Sequence, residues 1–270
     1  PVHTSLSGAK VEQNSTEYVK LLHQILLDIS CKTNLAPKIK AVTTTTSSSC
    51  ILGLDEGNNP QTQVIMVSDK RSQNIAERIK DNDAFIRIYK DKEISCNSSS
   101  LIPKALWFQE NEPETYRKVK LWVGISDYLN YLFTGVVFTD PLNAGKAFFI
   151  DGNYPDSLLK NIGFNSANLS PVYQIGTRFD ILETIKKDYN FDKDCYFVLT
   201  TYDAICAVIG SSDGTDSNAC DVSGTVTSVR ILKEKESIGR KNNHPQLITQ
   251  NIDLLNKCLI GASNNLGGGI

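Results

Sequence analysis

One stretch limits the fold more than any other: Phe197-Val198-Leu199-Thr200-Thr201-Tyr202-Asp203-Ala204-Ile205-Cys206-Ala207. Its first half is apolar enough to be a buried strand. It then passes through small polar residues to an acidic residue that opens an apolar helix. A strand that runs into a helix in this way belongs to an α/β architecture. Asp203 has two readings here. As a helix cap, it accepts hydrogen bonds from the first free amides. As a site residue, it is a carboxylate at the carboxyl end of a sheet strand, where ligands of α/β proteins collect, and it can take a proton from a substrate hydroxyl.

The rest of the chain alternates in the same sense. Asn14 precedes a helix in which Tyr18, Leu21, Leu22, Ile25, Leu26 and Ile29 recur at helical spacing, and Glu17 stands where a capping box places its acid. Short strands are expected over 38–43, 50–54, 63–67 and 119–123, and a buried one over 196–200. Helices are expected over 72–80, 104–111, 127–133, 156–162, 178–189, 204–209 and 245–258. Residues 222–232 read as a strand pair, and 148–151 as a strand or turn. The Thr/Ser run 43–49 fits a loop or continued strand. The sum is an α/β fold with a mixed sheet. The charged, aperiodic segment 233–243 marks a junction, so residues 1–232 are expected to form one lobe and 233–270 the junction and the start of a second.

Bulk properties exclude some classes. A formal net charge of −2 argues against a nucleic-acid or membrane-surface binder. No apolar run reaches the length of a membrane span, and residues 1–6 lack a signal-peptide pattern, so the expectation is a cytoplasmic protein. The seven cysteines include no pair at metal-ligand spacing; buried thiols explain them better than a zinc site, and no protein metal ligands are expected.

Three further segments carry weak signals. In Val222-Ser223-Gly224-Thr225-Val226, a glycine would let the backbone approach a phosphate and the Thr hydroxyl donate to it, although such strings are usually turns. Val67-Ser68-Asp69-Lys70-Arg71 reads as a cap with a surface ion pair. Residues 260–269, rich in glycine, read as a flexible end before an anion-binding nest.

Taken in order, these segments resemble the FGGY carbohydrate kinases nearly end to end. The longest match includes Pro103-Lys104-Ala105-Leu106-Trp107, Asn111-Glu112-Pro113-Glu114, Asp127-Tyr128-Leu129, Leu132-Phe133-Thr134-Gly135 and Thr139-Asp140-Pro141-Leu142-Asn143-Ala144. Residues 45–55 resemble the family's substrate-contacting strand. Val67 to Arg71 resembles its Trp-x-Asp-x-Arg, with Val67 in place of Trp. Asp203 falls where the family keeps its catalytic Asp, and Gly224-Thr225 at its phosphate-contacting Gly-Thr.

The resemblance implies an actin-like, ribonuclease-H-like ATPase fold with sugar and ATP in the cleft between two lobes. It implies transfer of the γ-phosphoryl of ATP, with Mg²⁺, to a sugar hydroxyl. Asp203 would be the general base, Ser48, Ser49, Asp69, Arg71 and Asp203 the substrate-binding residues, and Gly224 and Thr225 the nucleotide-binding ones. A homodimer is ordinary for this family. The family's opening Asp-x-Gly-Thr strand would lie upstream of Pro1 and most of its second lobe beyond Ile270, which leaves a non-catalytic or incomplete sugar-binding or regulatory module as the alternative. Ser48-Ser49 stands where xylulose kinases carry Met-His and glycerol kinases Arg-Glu. Serines cannot make the charged contacts of Arg and Glu, which counts against glycerol; the Thr-Ser-Ser-Ser string resembles the branches that act on ketopentoses, so the resemblance implies a pentulose, xylulose or ribulose, with gluconate or another polyol as the alternative substrate.

Overall fold

The computed structural model describes residues 2–32, 34–89, 96–212, 219–223, 227–234, 248–252 and 255–264. In chain order the elements are β1 (Thr4–Ser7), β2 (Lys10–Gln13), α1 (Ser15–Lys32), β3 (Ala41–Val42), β4 (Ile51–Leu54), β5 (Val64–Ile65), α2 (Gln73–Lys80), α3 (Asp83–Tyr89), α4 (Leu101–Asn111) and α5 (Pro113–Lys118). They continue with β6 (Leu121–Gly124), α6 (Ile125–Thr134), α7 (Pro141–Ala144), α8 (Asp156–Asn161), β7 (Arg178–Asp180), α9 (Glu183–Asp188), β8 (Tyr196–Val198), α10 (Asp203–Ser211), β9 (Ala219–Ser223), β10 (Thr227–Glu234), β11 (Ile248–Ile252) and β12 (Lys257–Asn264).

Three sheets carry these strands. The first is antiparallel, in the order β1-β2-β5-β4-β6. β4 lies inside it and is buried along its whole length. Alternation sends successive β4 side chains to opposite faces. Ile51 joins a core built from α2, α3, α4 and α8, whereas Leu52 and Leu54 join one built with α6. Gly53 is required there, because a Cβ would stand 2.5 Å from a Val119 methyl. The second sheet, β3-β8-β7, is the mixed one: β3 and β8 run parallel, β7 and β8 antiparallel. Its central Phe197 is fully buried with Leu26 of α1, Phe133 of α6 and Phe138; each such side chain contributes about 1.5–3 kcal/mol relative to exposure. The third sheet, β11-β12-β10-β9, packs Leu232, Ile252 and Leu259 against Tyr202 and the α10 residues Ile205 and Val208.

Local signals explain several boundaries. The Asn14 carboxamide accepts the Thr16 amide at 2.9 Å and starts α1. Glu17 does not complete a capping box, since its carboxylate accepts the His3 amide instead, at 3.0 Å. In α6 it is Asp127 that reaches back, accepting the Gly124 amide at 3.1 Å. That helix stops at Gly135, whose φ of 74° is left-handed.

Three expectations are corrected. Residues 178–189 are a strand followed by a short helix, because β7 pairs with β8 and Phe179 stacks on Phe138. Residues 248–252 are strand β11 rather than part of a helix, since they pair with β12. Residues 257–264, inside the expected helix end and flexible tail, form β12. Of the charged segment 233–243, Lys233 and Glu234 end β10, paired with Cys258 and Lys257, and Lys257 bridges Glu234 at 3.1 Å; residues 235–243 lie outside the described residues.

Candidate functional site

β3 and β8 are parallel, so the loops at their carboxyl ends leave the sheet on the same side. One is the Thr/Ser loop 43–49; the other leads through Thr200, Thr201 and Tyr202 into α10. Hydrogen bonds stitch them together. The Asp203 amide donates to the Thr46 carbonyl at 3.0 Å. The Thr45 hydroxyl donates to the Thr201 carbonyl at 2.9 Å. On the other flank, the Thr44 hydroxyl donates to Asn130 of α6 at 2.8 Å.

Asp203 is the first residue of α10, and Tyr202 is the cap. The capping reading of Asp203 is thus only partly realised: Oδ1 accepts the Ala204 amide at 2.7 Å, and Oδ2 has no hydrogen-bond partner among the described residues. The side chain is exposed. Neighbouring protein raises its pKa by desolvation, opposed by the Ala204 amide and by the charge of Arg230. An exposed carboxylate with raised basicity, one oxygen of which has no partner among the described residues, can accept a proton from a hydroxyl.

Ser48 and Ser49 end the neighbouring loop, their hydroxyls 3.4 Å apart. Ser49 is buried, has a left-handed φ of 65° and lines a cavity with Asp127, Thr139, Asn143, Lys146 and Ser170. Ser48 and Asp203 do not line this cavity. Lys146 links it to α10, with its ammonium 5.5 Å from the centroid of the Tyr202 ring. Burial and the charge of Arg230 push the Lys146 pKa down. Asp127 is buried in the cavity wall, where its Oδ2 accepts the Ser170 hydroxyl at 2.8 Å; burial raises its pKa to about 7.

Asp69 and Arg71 form a buried ion pair. The Arg71 guanidinium donates to both oxygens of Asp69, at 2.7–3.0 Å, and to Glu12 at 2.6 Å. Asp69 also accepts the Val11 amide at 2.7 Å. Their side chains are 0% and 2% exposed, and Arg71 packs 5.0 Å from the Trp107 ring. These contacts fasten β2 to the segment after β5, while Nη1 of Arg71 is buried with no hydrogen-bond partner among the described residues. Gly224 and Thr225 lie outside the described residues.

Two residues escaped the sequence reading. Lys104 of α4 is fully buried and donates to the carbonyls of Ser49 and Met66; its one signal was a lysine among Ile102, Ala105 and Leu106 on an otherwise apolar helix. Lys146 gave no signal. Among the described residues no group of three or more His, Cys, Asp or Glu is placed to hold a metal ion, and no helix is long and apolar enough to cross a membrane.

Comparison with known proteins places this geometry in context. The profile of the N-terminal domain of the FGGY family of carbohydrate kinases matches residues 3–210. The autoinducer-2 kinase of Salmonella choleraesuis (strain SC-B67) is 28% identical over 151 residues, 53% of this chain and 28% of that protein. The xylulose kinase of Lactococcus lactis subsp. lactis is 26% identical over 141 residues, 52% of this chain and 28% of that protein. The crystal structure of gluconate kinase from Lactobacillus acidophilus superposes with a TM-score of 0.83 at 20% identity, covering 99% of this chain and 54% of that one. The matched part thus spans under a third of the length of these curated relatives, and the fold is that of the actin-like kinases.

Proposed function

Because the chain belongs to the FGGY family of carbohydrate kinases, we propose that it forms the sugar-binding lobe of an ATP-dependent sugar kinase, with Asp203 as general base. The observation that carries this reading is exposed Asp203, whose Oδ2 has no hydrogen-bond partner among the described residues, beside the 43–49 loop on the ligand side of a parallel strand pair. Asp203 accepts the proton of the sugar hydroxyl as that oxygen attacks the γ-phosphorus of ATP, and ADP leaves. The positive N-terminal end of α10 steadies the carboxylate before the transfer. Ser48 and Ser49 donate and accept hydrogen bonds to neighbouring hydroxyls of the sugar.

The sheet β9–β12, which follows the family-matched residues 3–210, is read as the start of the second lobe. Gly224 and Thr225, in the order of the chain, contribute the nucleotide phosphate contacts. A Mg²⁺ ion would be held chiefly by those phosphates, with at most one or two carboxylates, and would neutralise charge on the transferred group.

A pentulose is the favoured substrate: serines at 48 and 49 suit neutral hydroxyls, and a xylulose kinase is among the relatives. Lys146 favours a second reading. Lys146 is among the residues lining the small cavity beside Ser49, its ammonium 5.5 Å from the Tyr202 ring, and a cation near the sugar loop suits a sugar acid such as an aldonate. Titrating the protein with D-xylulose, D-ribulose, gluconate and glycerol while following its melting temperature tests the assignment. Stabilisation by a pentulose supports the first reading, stabilisation by gluconate alone supports the second, and no response from any sugar contradicts both.

A further inference from the structure

Lys104 is an uncommon object: a lysine with no exposed surface and no hydrogen-bonded carboxylate among the described residues. Its ammonium donates to the Ser49 carbonyl at 2.7 Å and to the Met66 carbonyl at 2.8 Å. These carbonyls flank one end of the same strand pair. Ser49 precedes β4, Met66 follows β5, and Ile51 pairs with Ile65 between them. One side chain from α4 therefore ties together the segment entering one strand and the segment leaving its neighbour.

What it ties down is strained. A serine at φ 65° is held in the left-handed region, which costs a non-glycine residue on the order of 1 kcal/mol and persists only where the surroundings impose it. Apolar packing of α4 needs only a hydrophobe at this position, and burying an ammonium is costly. The ammonium is retained where it can hold one backbone carbonyl whose residue carries a cavity-lining hydroxyl.

We propose that Lys104 is a positioning residue for sugar binding, holding the Ser48-Ser49 turn in its left-handed form so that the serine hydroxyls meet the substrate. This rests on the sugar-kinase reading given above. The surroundings of the ammonium are Cys50, Asp69, Arg71 and Lys70; burial dominates and brings its pKa down to about 8. Above that pH the amine is neutral and its hydrogen bonds to the two carbonyls weaken, so the turn loosens. The effect on global stability has the opposite sign. A lysine with a lowered folded pKa makes the folded state bind fewer protons than the unfolded state between about pH 8 and 10.5, so this group adds stability as pH rises. Weakened sugar binding with no loss of stability from this group is a signature that a purely structural lysine would not give.

The test is calorimetric titration with D-xylulose, and with gluconate in parallel, at pH 7 and pH 9, for the wild type and for Lys104→Met, with melting curves for both. The expected result is a wild-type Kd several-fold weaker at pH 9. In Lys104→Met, Kd is expected to be about tenfold weaker at pH 7, comparable to losing one charge-assisted hydrogen bond, with little further change at pH 9. If Lys104→Met does not fold, Lys104→Gln, which keeps a donor for one carbonyl, is titrated in its place and is expected to bind several-fold more weakly than the wild type. A folded variant of either kind that binds like the wild type overturns the proposal. If neither sugar binds the wild type, the sugar-kinase reading fails and this proposal falls with it.

Discussion

The backbone amide of Asp203 donates a hydrogen bond to the carbonyl of Thr46 at 3.0 Å, across 157 positions of sequence. That contact joins the residue read as the base to the loop read as the sugar contact. The loop is made only of Thr and Ser, and it is ordered by what it touches: Thr201 through Thr45 and Asn130 through Thr44. The two halves of the site hold each other.

Replacing the base is the first consequence. Asp203→Asn keeps the size of the side chain and its bond to the Ala204 amide, but cannot take a proton. We expect kcat for phosphoryl transfer in the polypeptide as its gene encodes it to fall by about 10²–10⁴-fold, while the sugar Kd changes by less than about threefold, within the scatter of losing one weak contact. Steady-state kinetics with a coupled ADP assay reads the first, calorimetry the second. Full activity in the variant would remove Asp203 from the mechanism.

Asp69 and Arg71 make the reverse case. Asp69→Ala leaves a buried guanidinium with only Glu12 as a charged partner and frees the Val11 amide. Breaking such a buried pair costs about 3–5 kcal/mol, so chemical denaturation should show a large loss of stability. The ranking of sugars by affinity should not change in the protein that remains folded. A change in sugar preference at unchanged stability would instead put these residues in contact with substrate.

The buried carboxyl of Asp127 gives a pH signature. Burial raises its pKa from 3.8 to about 7, so the folded state holds a proton that the unfolded state releases. Stability from this group is complete below about pH 4 and is lost as pH climbs through about 7, on the order of 4 kcal/mol at most. Asp140, raised by burial in the same direction, adds to the slope. Melting temperatures from pH 5 to 8 should fall in the wild type and fall much less in Asp127→Asn. Equal slopes would show that Asp127 is already ionised across this range.

Lys146 separates the two substrate readings. Lys146→Met removes a cation from the cavity but keeps its stem. If the substrate is a sugar acid, gluconate affinity should drop about tenfold or more, the worth of a charge-assisted contact. Binding of a neutral pentulose should barely move. Equal loss for both ligands would mean that Lys146 shapes the cavity and does not select charge.

The legible parts of this molecule are those in which local pattern and final packing agree. Strand β8 and the start of α10 could be read directly, since apolar residues, small polar residues and Asp203 follow one another along the chain. Elsewhere tertiary pairing overrode the local pattern. Ile248 and Ile252 fit a helical stripe by spacing, yet β12 recruits that segment as a strand. The hairpin β1–β2 carries mostly polar residues, exposed in β1 and half-buried in β2, and shows no apolar alternation; its turn at Gly8, with φ 59°, is its clearest mark. Asp69 and Arg71 could be read as charged residues at a strand end, but not as a buried pair, because Glu12, which completes it, arrives from 59 positions away. Lys104 was hidden for a like reason: its acceptors, Ser49 and Met66, are backbone carbonyls of distant segments, and carbonyls leave no trace in a sequence.

The most direct test is a melting-temperature titration of the wild type and Asp203→Ala with D-xylulose, D-ribulose, gluconate and glycerol. A ligand that binds only the folded state stabilises it by about 2.7 kcal/mol at a hundred times its Kd. The account predicts that one pentulose, or gluconate under the second reading, raises the melting temperature of the wild type, that glycerol does not, and that the shift shrinks in Asp203→Ala because the hydroxyl loses the carboxylate it meets. Well-folded wild-type protein that responds to none of the four, or a shift that is the same with and without Asp203, would contradict it.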